Sequence, residues 1–183
     1  MVSQTGSQGA ILFREEQSFR QTWIWVAAGL AVAVVWGLFA FIIYKQLVQG
    51  EPVGDNPMPN STLAWFGPLM MLAMAGLILL LQKSKLRVQV HPDHLHIRFF
   101  PFLTRNIPLS EIVRWEARTY RPIREYGGWG IRYGFKGRAY NVSGNRGVQL
   151  ELSGGKRLLI GSQRAEEFAL AIETAKKRQT NRQ

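Results

Sequence analysis

Residues 23–44 read WIWVAAGLAVAVVWGLFAFIIY, an unbroken run from Trp23 to Tyr44 without one charged side chain. At about 1.5 Å rise per residue a helix of that length covers about 33 Å, enough for a hydrocarbon core of about 30 Å. A second uncharged run, Leu63 to Leu81, gives about 28 Å and matches a slightly thinner or locally adapted bilayer. Buried core helices are one alternative, but so short a chain cannot enclose two fully apolar helices of this length. A cleaved signal peptide is the other. The first run is far longer than an apolar signal region of about 7–15 residues, and no A-x-A-like cleavage site follows it. The sequence therefore predicts a transmembrane hairpin with spans at 23–44 and 63–81. Trp23, Trp25, Tyr44, Trp65 and Phe66 lie at the ends of these runs, where amphipathic rings favour headgroup level, whereas Trp36 falls mid-span and does not fit.

Charge beside the spans sets the expected orientation. Arg14 and Arg20 precede the first, Lys83, Lys85 and Arg87 follow the second, and the connector Lys45–Thr62 holds only Lys45 with Glu51 and Asp55. Both termini are expected to be cytoplasmic. Pro52, Pro57, Pro59, Gly50 and Gly54 make the connector a short irregular loop on the far side. Neither span contains Asp, Glu, Lys, Arg or His, which argues against autonomous transport. Gly29, Ala33 and Gly37 recur every fourth residue, a stripe that lets another helix approach closely. Packing within the chain and dimerisation both satisfy it.

The whole chain has 183 residues, 23 Lys+Arg against 12 Asp+Glu, and no Cys. Without Cys, a disulfide scaffold, a Cys-ligated zinc or iron–sulfur site and a thiol nucleophile are excluded. Ten Phe and 6 Trp argue against wholesale disorder. The expected organisation is a cytoplasmic N-terminal segment 1–20, the hairpin 21–82, a cytoplasmic domain 83–178 and a tail 179–183. The stretch from Lys83 onward carries 20 of the 23 basic residues and 8 of the 12 acidic ones, so the excess charge lies there.

That domain reads as short strands. Leu86-Val88-Val90 and Leu95-Ile97-Phe99 alternate around a His91-Pro92-Asp93 turn, which predicts a hairpin. Leu103–Leu109, Val113–Thr119 and Tyr140–Val142 extend the count. Val148, Leu150 and Leu152 share a face opposite Gln149 and Glu151, and Ser153-Gly154-Gly155 turns the chain into Arg157–Ile160, a second hairpin. Beyond Gly161, Ser162 is the expected cap of a helix whose Phe168, Ala171, Ile172 and Ala175 fall at i, i+3, i+4, i+7. Strands followed by one amphipathic helix describe a sheet curled around a core and covered by that helix.

Four stretches carry a family resemblance: Ile107-Pro108-Leu109-Ser110-Glu111-Ile112, Tyr126-Gly127-Gly128-Trp129-Gly130-Ile131-Arg132, Tyr140-Asn141-Val142-Ser143-Gly144 and Leu159-Ile160-Gly161-Ser162-Gln163-Arg164. With the two spans in front, the chain resembles a bacterial pleckstrin-homology-like (PH-like) domain fused to a two-span membrane hairpin. The resemblance implies an α+β fold: a partly open antiparallel β-barrel of about seven strands with a C-terminal α-helix. It also implies a binding role at the bacterial inner membrane, with no assigned reaction. Eukaryotic relatives of the fold often bind inositol phospholipids through a basic loop early in the domain. The densest basic stretch lies later here, so that ligand is not carried over.

That stretch is residues 121–138, where Arg121, Arg124, Arg132, Lys136 and Arg138 face one acid, Glu125, among Tyr126, Trp129, Tyr133, Phe135 and several glycines. It shows no strand pattern and reads as a long flexible loop. Arg121, Arg124, Trp129, Arg132, Lys136 and Arg138 are its candidate contacts to anionic lipid or an acidic partner. The bland reading is a solvated basic loop whose aromatics pack back on the domain. His94 and His96 share a strand face, yet no further ligand accompanies them, and a Pro-Asp-His turn explains the same residues. Gly154-Gly155-Lys156 is not a phosphate loop, because Lys156 opens a strand rather than a helix. No G-x-S-x-G elbow occurs, and no recognition helix supports nucleic-acid binding. The expectation is a non-catalytic binding or assembly module without metal or cofactor. Its expected partners are membrane lipids, with a membrane protein or a second copy as macromolecular alternatives. The competing class is an accessory subunit or small enzyme of envelope or lipid metabolism.

Overall fold

The computed structural model describes residues 10–134 and 137–181. The chain divides into two compact units, Arg20–Gln82 and a second unit that joins the residues up to Phe19 to those from Lys83 onward.

In the first unit, α1 (Thr22–Ile43) runs on through a π-helical turn, Tyr44–Val48, and α2 spans Asn60–Lys83. Both helices are long and apolar enough to cross a membrane. No residue of α1 is buried, and Trp23, Val26, Leu30, Val34, Leu38 and Phe41 are all exposed. A core helix would hide these side chains, so the core-helix reading fails. The π-turn and the early start of α2 shorten the expected connector at both ends. Its ends are tied by Gln46, whose buried side-chain amide donates to the Met58 carbonyl and to Asn60 Oδ1 at 2.8 Å. Lys45 pairs with Glu51 at 2.6 Å.

The helices approach at Gly67, where a Cβ would lie 2.9 Å from Ile43 Cδ1 and 3.3 Å from the Phe39 ring. Phe39 and Phe66 meet edge-on, 6.1 Å between centroids. Trp36, in the middle of α1, donates its indole N–H to the Met71 carbonyl of α2 at 3.2 Å, a hydrogen bond between the two helices. The Gly29, Ala33, Gly37 stripe is elsewhere: Ala33 is exposed, and nothing lies within 4 Å of a Cβ placed on Gly29 or Gly37. Packing of that stripe on α2 is therefore not what holds the hairpin.

The second unit has nine described strands in two sheets. The first sheet runs β1 (Phe13–Ser18), β2 (Lys85–Val90), β3 (His94–Phe100), β4 (Leu103–Pro108), all antiparallel. After a 3₁₀ turn at Leu109–Glu111 come β5 (Ile112–Thr119), the short helix α3 (Pro122–Tyr126), β6 (Gly130–Gly134), β7 (Gly137–Asn141), β8 (Arg146–Leu152) and β9 (Arg157–Gly161). These strands order as β5-β8-β9-β7-β6. The expected single antiparallel barrel of about seven strands is thus corrected. Among the described residues no ladder joins the two sheets, and β7 pairs parallel to β9, Arg138 opposite Leu158. The chain crosses from β7 over to β8 before the hairpin returns β9 between them. The stretch 121–138 is likewise not a loop: it is α3 and an edge hairpin, with Phe135 and Lys136 outside the described residues.

The N-terminal segment expected to stand apart supplies β1, an edge strand in register with β2 from Phe13 opposite Val90 to Ser18 opposite Lys85. Phe13, Glu15 and Gln17 point inward. Phe13 stacks on Phe168, centroids 5.1 Å apart. Glu15, only 9% exposed, accepts from the Ser162 hydroxyl and from the Gln163 N–H at 2.8 Å, and Gln17 Nε2 donates to the Gly161 carbonyl at 2.9 Å. On the outer face Glu16 pairs with Lys85 (2.8 Å) and Arg87 (2.6 Å); these hydrogen bonds hold its carboxyl at about 2.

Helix α4 (Ala165–Thr180) closes the core as its periodicity predicts, burying Phe168, Ala171, Ile172 and Ala175 against β1, β2, β5 and β8. Ser162 does not cap it: Arg164 occupies the cap position, and the Ser162 hydroxyl instead accepts the Arg164 N–H at 3.0 Å while donating to Glu15.

Candidate anion-binding groove

The sequence-predicted residues separate in space. Arg121 sits at the start of α3, its backbone N–H given to Glu125 Oε1 at 2.8 Å, and Arg124 is exposed on the same helix. Trp129 and Arg132 lie at the opening of β6 and do structural work there. The Trp129 indole donates to the Gly144 carbonyl (2.9 Å), Arg132 Nε donates to the Trp129 carbonyl (2.8 Å), and the Gly130 N–H donates to Asn141 Oδ1 (3.0 Å). Buried Asn141 in turn donates to the Tyr120 hydroxyl at 3.1 Å, and burial pushes that phenol up to about 12. Lys136 falls outside the described residues.

Arg138 lies elsewhere, with Arg105, Lys156 and Arg157 around an open groove of about 370 Å³. Arg105 comes from β4, on the half-buried face it shares with Leu103 and Ile107. Arg138 comes from the start of β7, its guanidinium 5.0 Å over the Tyr133 ring. Lys156 and Arg157 follow the β8–β9 turn, which Gly155 closes at φ +70°. Gly137 makes the wall possible: at φ +109° its missing side chain leaves space that a Cβ would fill against the Arg157 carbonyl. Leu152 and Leu158 form the floor.

Among the described residues no carboxylate lines this groove. Arg157 reaches Glu151 at 3.1 Å, and Arg105, Arg138 and Lys156 have no ion-pair partner among the described residues. Like charges gathered around one concavity raise each other's energy, and an anion relieves it. Arginine forks match phosphate or carboxylate oxygens two at a time, while Lys156 adds a mobile point charge.

A neighbouring groove of about 260 Å³ on the outer face of the second sheet is different. Its Arg114, Arg118 and Arg157 are answered by Glu116 (3.6 Å), Glu125 (2.9 Å) and Glu151 (3.1 Å), and Arg118 also donates to Tyr126 and Gln149. That network satisfies itself. His94 and His96 are engaged by Asp93 (2.8 Å) and Asn106 (2.6 Å), and no group of three His, Cys, Asp or Glu converges among the described residues.

Sequence reasoning found Arg138 and passed over Arg105, Lys156 and Arg157. One local signal existed: Arg105 occupies a position whose strand neighbours two residues either side, Leu103 and Ile107, are apolar. Lys156 was visible only as part of a failed phosphate-loop motif, and nothing in the order of residues brings 105, 138 and 156 together.

The chain holds an α+β unit of two sheets covered by a terminal helix and a separate unit of two helices long and apolar enough to cross a membrane. No protein-family model matches the chain, and neither a curated protein nor a solved structure does.

Proposed function

We propose that the chain is a bacterial inner-membrane protein of two spans presenting a PH-like, non-catalytic binding module on the cytoplasmic side, with the Arg105, Arg138, Lys156, Arg157 groove receiving the phosphate group of an anionic membrane lipid. The two sheets covered by α4 support the PH-like reading. The exposed apolar surface of α1 supports insertion. Pairing of β1 with β2 supports a hairpin, because strands before α1 and after α2 in one sheet require an even number of crossings. One observation carries the binding role: four cations from three separate segments, β4, the start of β7 and the opening of β9, converge on a groove that no carboxylate lines among the described residues.

Each Lys or Arg near an anionic surface contributes about 1 kcal/mol, so removing two charges costs about 2 kcal/mol, or roughly 30-fold in affinity. The test uses the full chain in mild detergent, with retained lipid counted by native mass spectrometry from mixed phosphatidylglycerol and phosphatidylcholine. Phosphatidylglycerol is expected to be retained over phosphatidylcholine, and the double variant Arg105→Gln, Lys156→Gln is expected to lower that retention about 30-fold at an unchanged melting temperature. Equal retention of the two lipids, or retention unmoved by the double variant, contradicts the assignment.

A further inference from the structure

The turn between β3 and β4 exposes two aromatic rings that the core does not use. Phe100 is 42% exposed and Phe102 56%, with Pro101 between them also exposed. In the same stretch Phe99 is fully inward, 6.2 Å by centroid from Phe102, so the turn presents its outer rings on a rigid base. The Phe102 N–H donates to the Phe99 carbonyl at 2.8 Å, which fixes the reversal. The Arg98 guanidinium lies 5.5 Å over the Phe100 ring.

Strand register shows which end of the sheet this is. Lys85 lies opposite Phe100 and also opposite Ser18, so Ser18, Lys85 and Phe100 form one edge row. Only Ser84 separates Lys85 from the last residue of α2, and three residues separate Ser18 from the first residue of α1. Two residue steps span at most about 7 Å, and the next strand is about 5 Å away. Chain connectivity alone therefore keeps Phe100 within about 12 Å of the end of α2. The opposite end of the same sheet carries the His91-Pro92-Asp93 turn.

We infer that the Phe100-Pro101-Phe102 turn is a membrane-interface anchor, its rings seated among the headgroups of the bilayer that α1 and α2 cross. This rests on the two-span reading. Phenylalanine rings gain from leaving water for the interface, and the nearby charge fits the same place. Lys85 and Arg87 share the single carboxylate of Glu16, and the positive charge left over, with Arg98 beside the Phe100 ring, suits an anionic headgroup layer.

The chain has no Cys, so single labels are straightforward. Full-length Phe100→Cys, Phe102→Cys, Asp93→Cys and Val34→Cys variants, each carrying an environment-sensitive fluorophore, are placed in nanodiscs of phosphatidylglycerol and phosphatidylcholine. Labels at 100 and 102 are expected to be quenched by shallow nitroxide lipids at least about threefold more than the label at 93, which iodide in the buffer quenches instead. Position 34 is expected to respond only to deep nitroxide lipids. A label at 102 and a label at 100 both as open to iodide as position 93, with 34 still protected, overturns the anchor alone. Loss of protection at 34 overturns the two-span reading beneath it.

Discussion

A chain truncated to begin at Lys83 is expected to lose the cooperative fold of its sheets, even though it retains eight of the nine described strands. The missing strand, β1, supplies Phe13 to the ring of Phe168, the carboxylate that accepts from Ser162 and Gln163, and the amide that donates to Gly161. Losing a buried Phe costs about 3–5 kcal/mol. Each buried donor or acceptor left without its partner costs about 1–3 kcal/mol more. Together these approach the whole stability of a typical domain, about 5–15 kcal/mol. The truncation also bares the β2 edge, whose inward Leu86, Val88 and Val90 sit in the core, and an open edge of that kind invites association with other chains. Because Ser18 and Lys85 are neighbours in register, a short Gly/Ser linker joining residues 10–20 to 84–181 can replace both helices. The linked chain is expected to be monomeric, with slow amide exchange in β2 and β3. The Lys83 truncation is expected to aggregate or exchange at unfolded rates. A truncation as stable as the linked chain removes β1 from the fold.

The second large effect is expected at Phe168. It is fully buried on α4, with Phe13 stacked on one side and the core of both sheets around it. Phe168→Ala is expected to destabilise the second unit by about 3–5 kcal/mol, read as faster amide exchange throughout β2, β8 and α4 of the detergent-solubilised chain. Phe13→Ala is expected to cost less, since Phe13 is at the sheet edge, and the double variant to cost about 0.5–1.5 kcal/mol less than the two single effects combined. Strict additivity means the stacked pair contributes nothing beyond separate burial.

The first effect comes from a strand that the sequence conceals, the second from a helix that it shows. In β8, β9 and α4 the inward positions are Val148, Leu150, Leu152, Leu158, Ile160, Phe168, Ala171, Ile172 and Ala175, so apolar periodicity and burial coincide and the elements are readable. In β1 two of three inward positions are Glu15 and Gln17, whose partners lie more than 140 residues away. A polar alternation of that kind is indistinguishable from a solvated tail until the partners are known. The edge hairpin β6–β7 is hidden for another reason: as an edge it leaves Arg132, Tyr133 and Arg138 exposed, and its glycines erase the remaining pattern. The two apolar helices needed no partner to be seen, since a charge-free run of that length is long and apolar enough to cross a membrane on its composition alone. The groove was the least legible feature, because convergence of Arg105, Arg138 and Lys156 depends on β7 lying beside β9, a pairing between strands that are not sequence neighbours.

The central claim is that one folded domain, stitched from both flanks of a membrane hairpin, faces a single side of the bilayer. Its most direct test is labelling of single-cysteine variants of the full chain by a membrane-impermeant maleimide in intact spheroplasts and after lysis. Asp55→Cys, in the connector, is expected to label in intact spheroplasts, whereas Arg14→Cys on β1 and Arg178→Cys on α4 are expected to label only after lysis. Labelling of positions 14 and 178 from opposite faces, or recovery of the unmodified chain in the soluble fraction without detergent, contradicts the account.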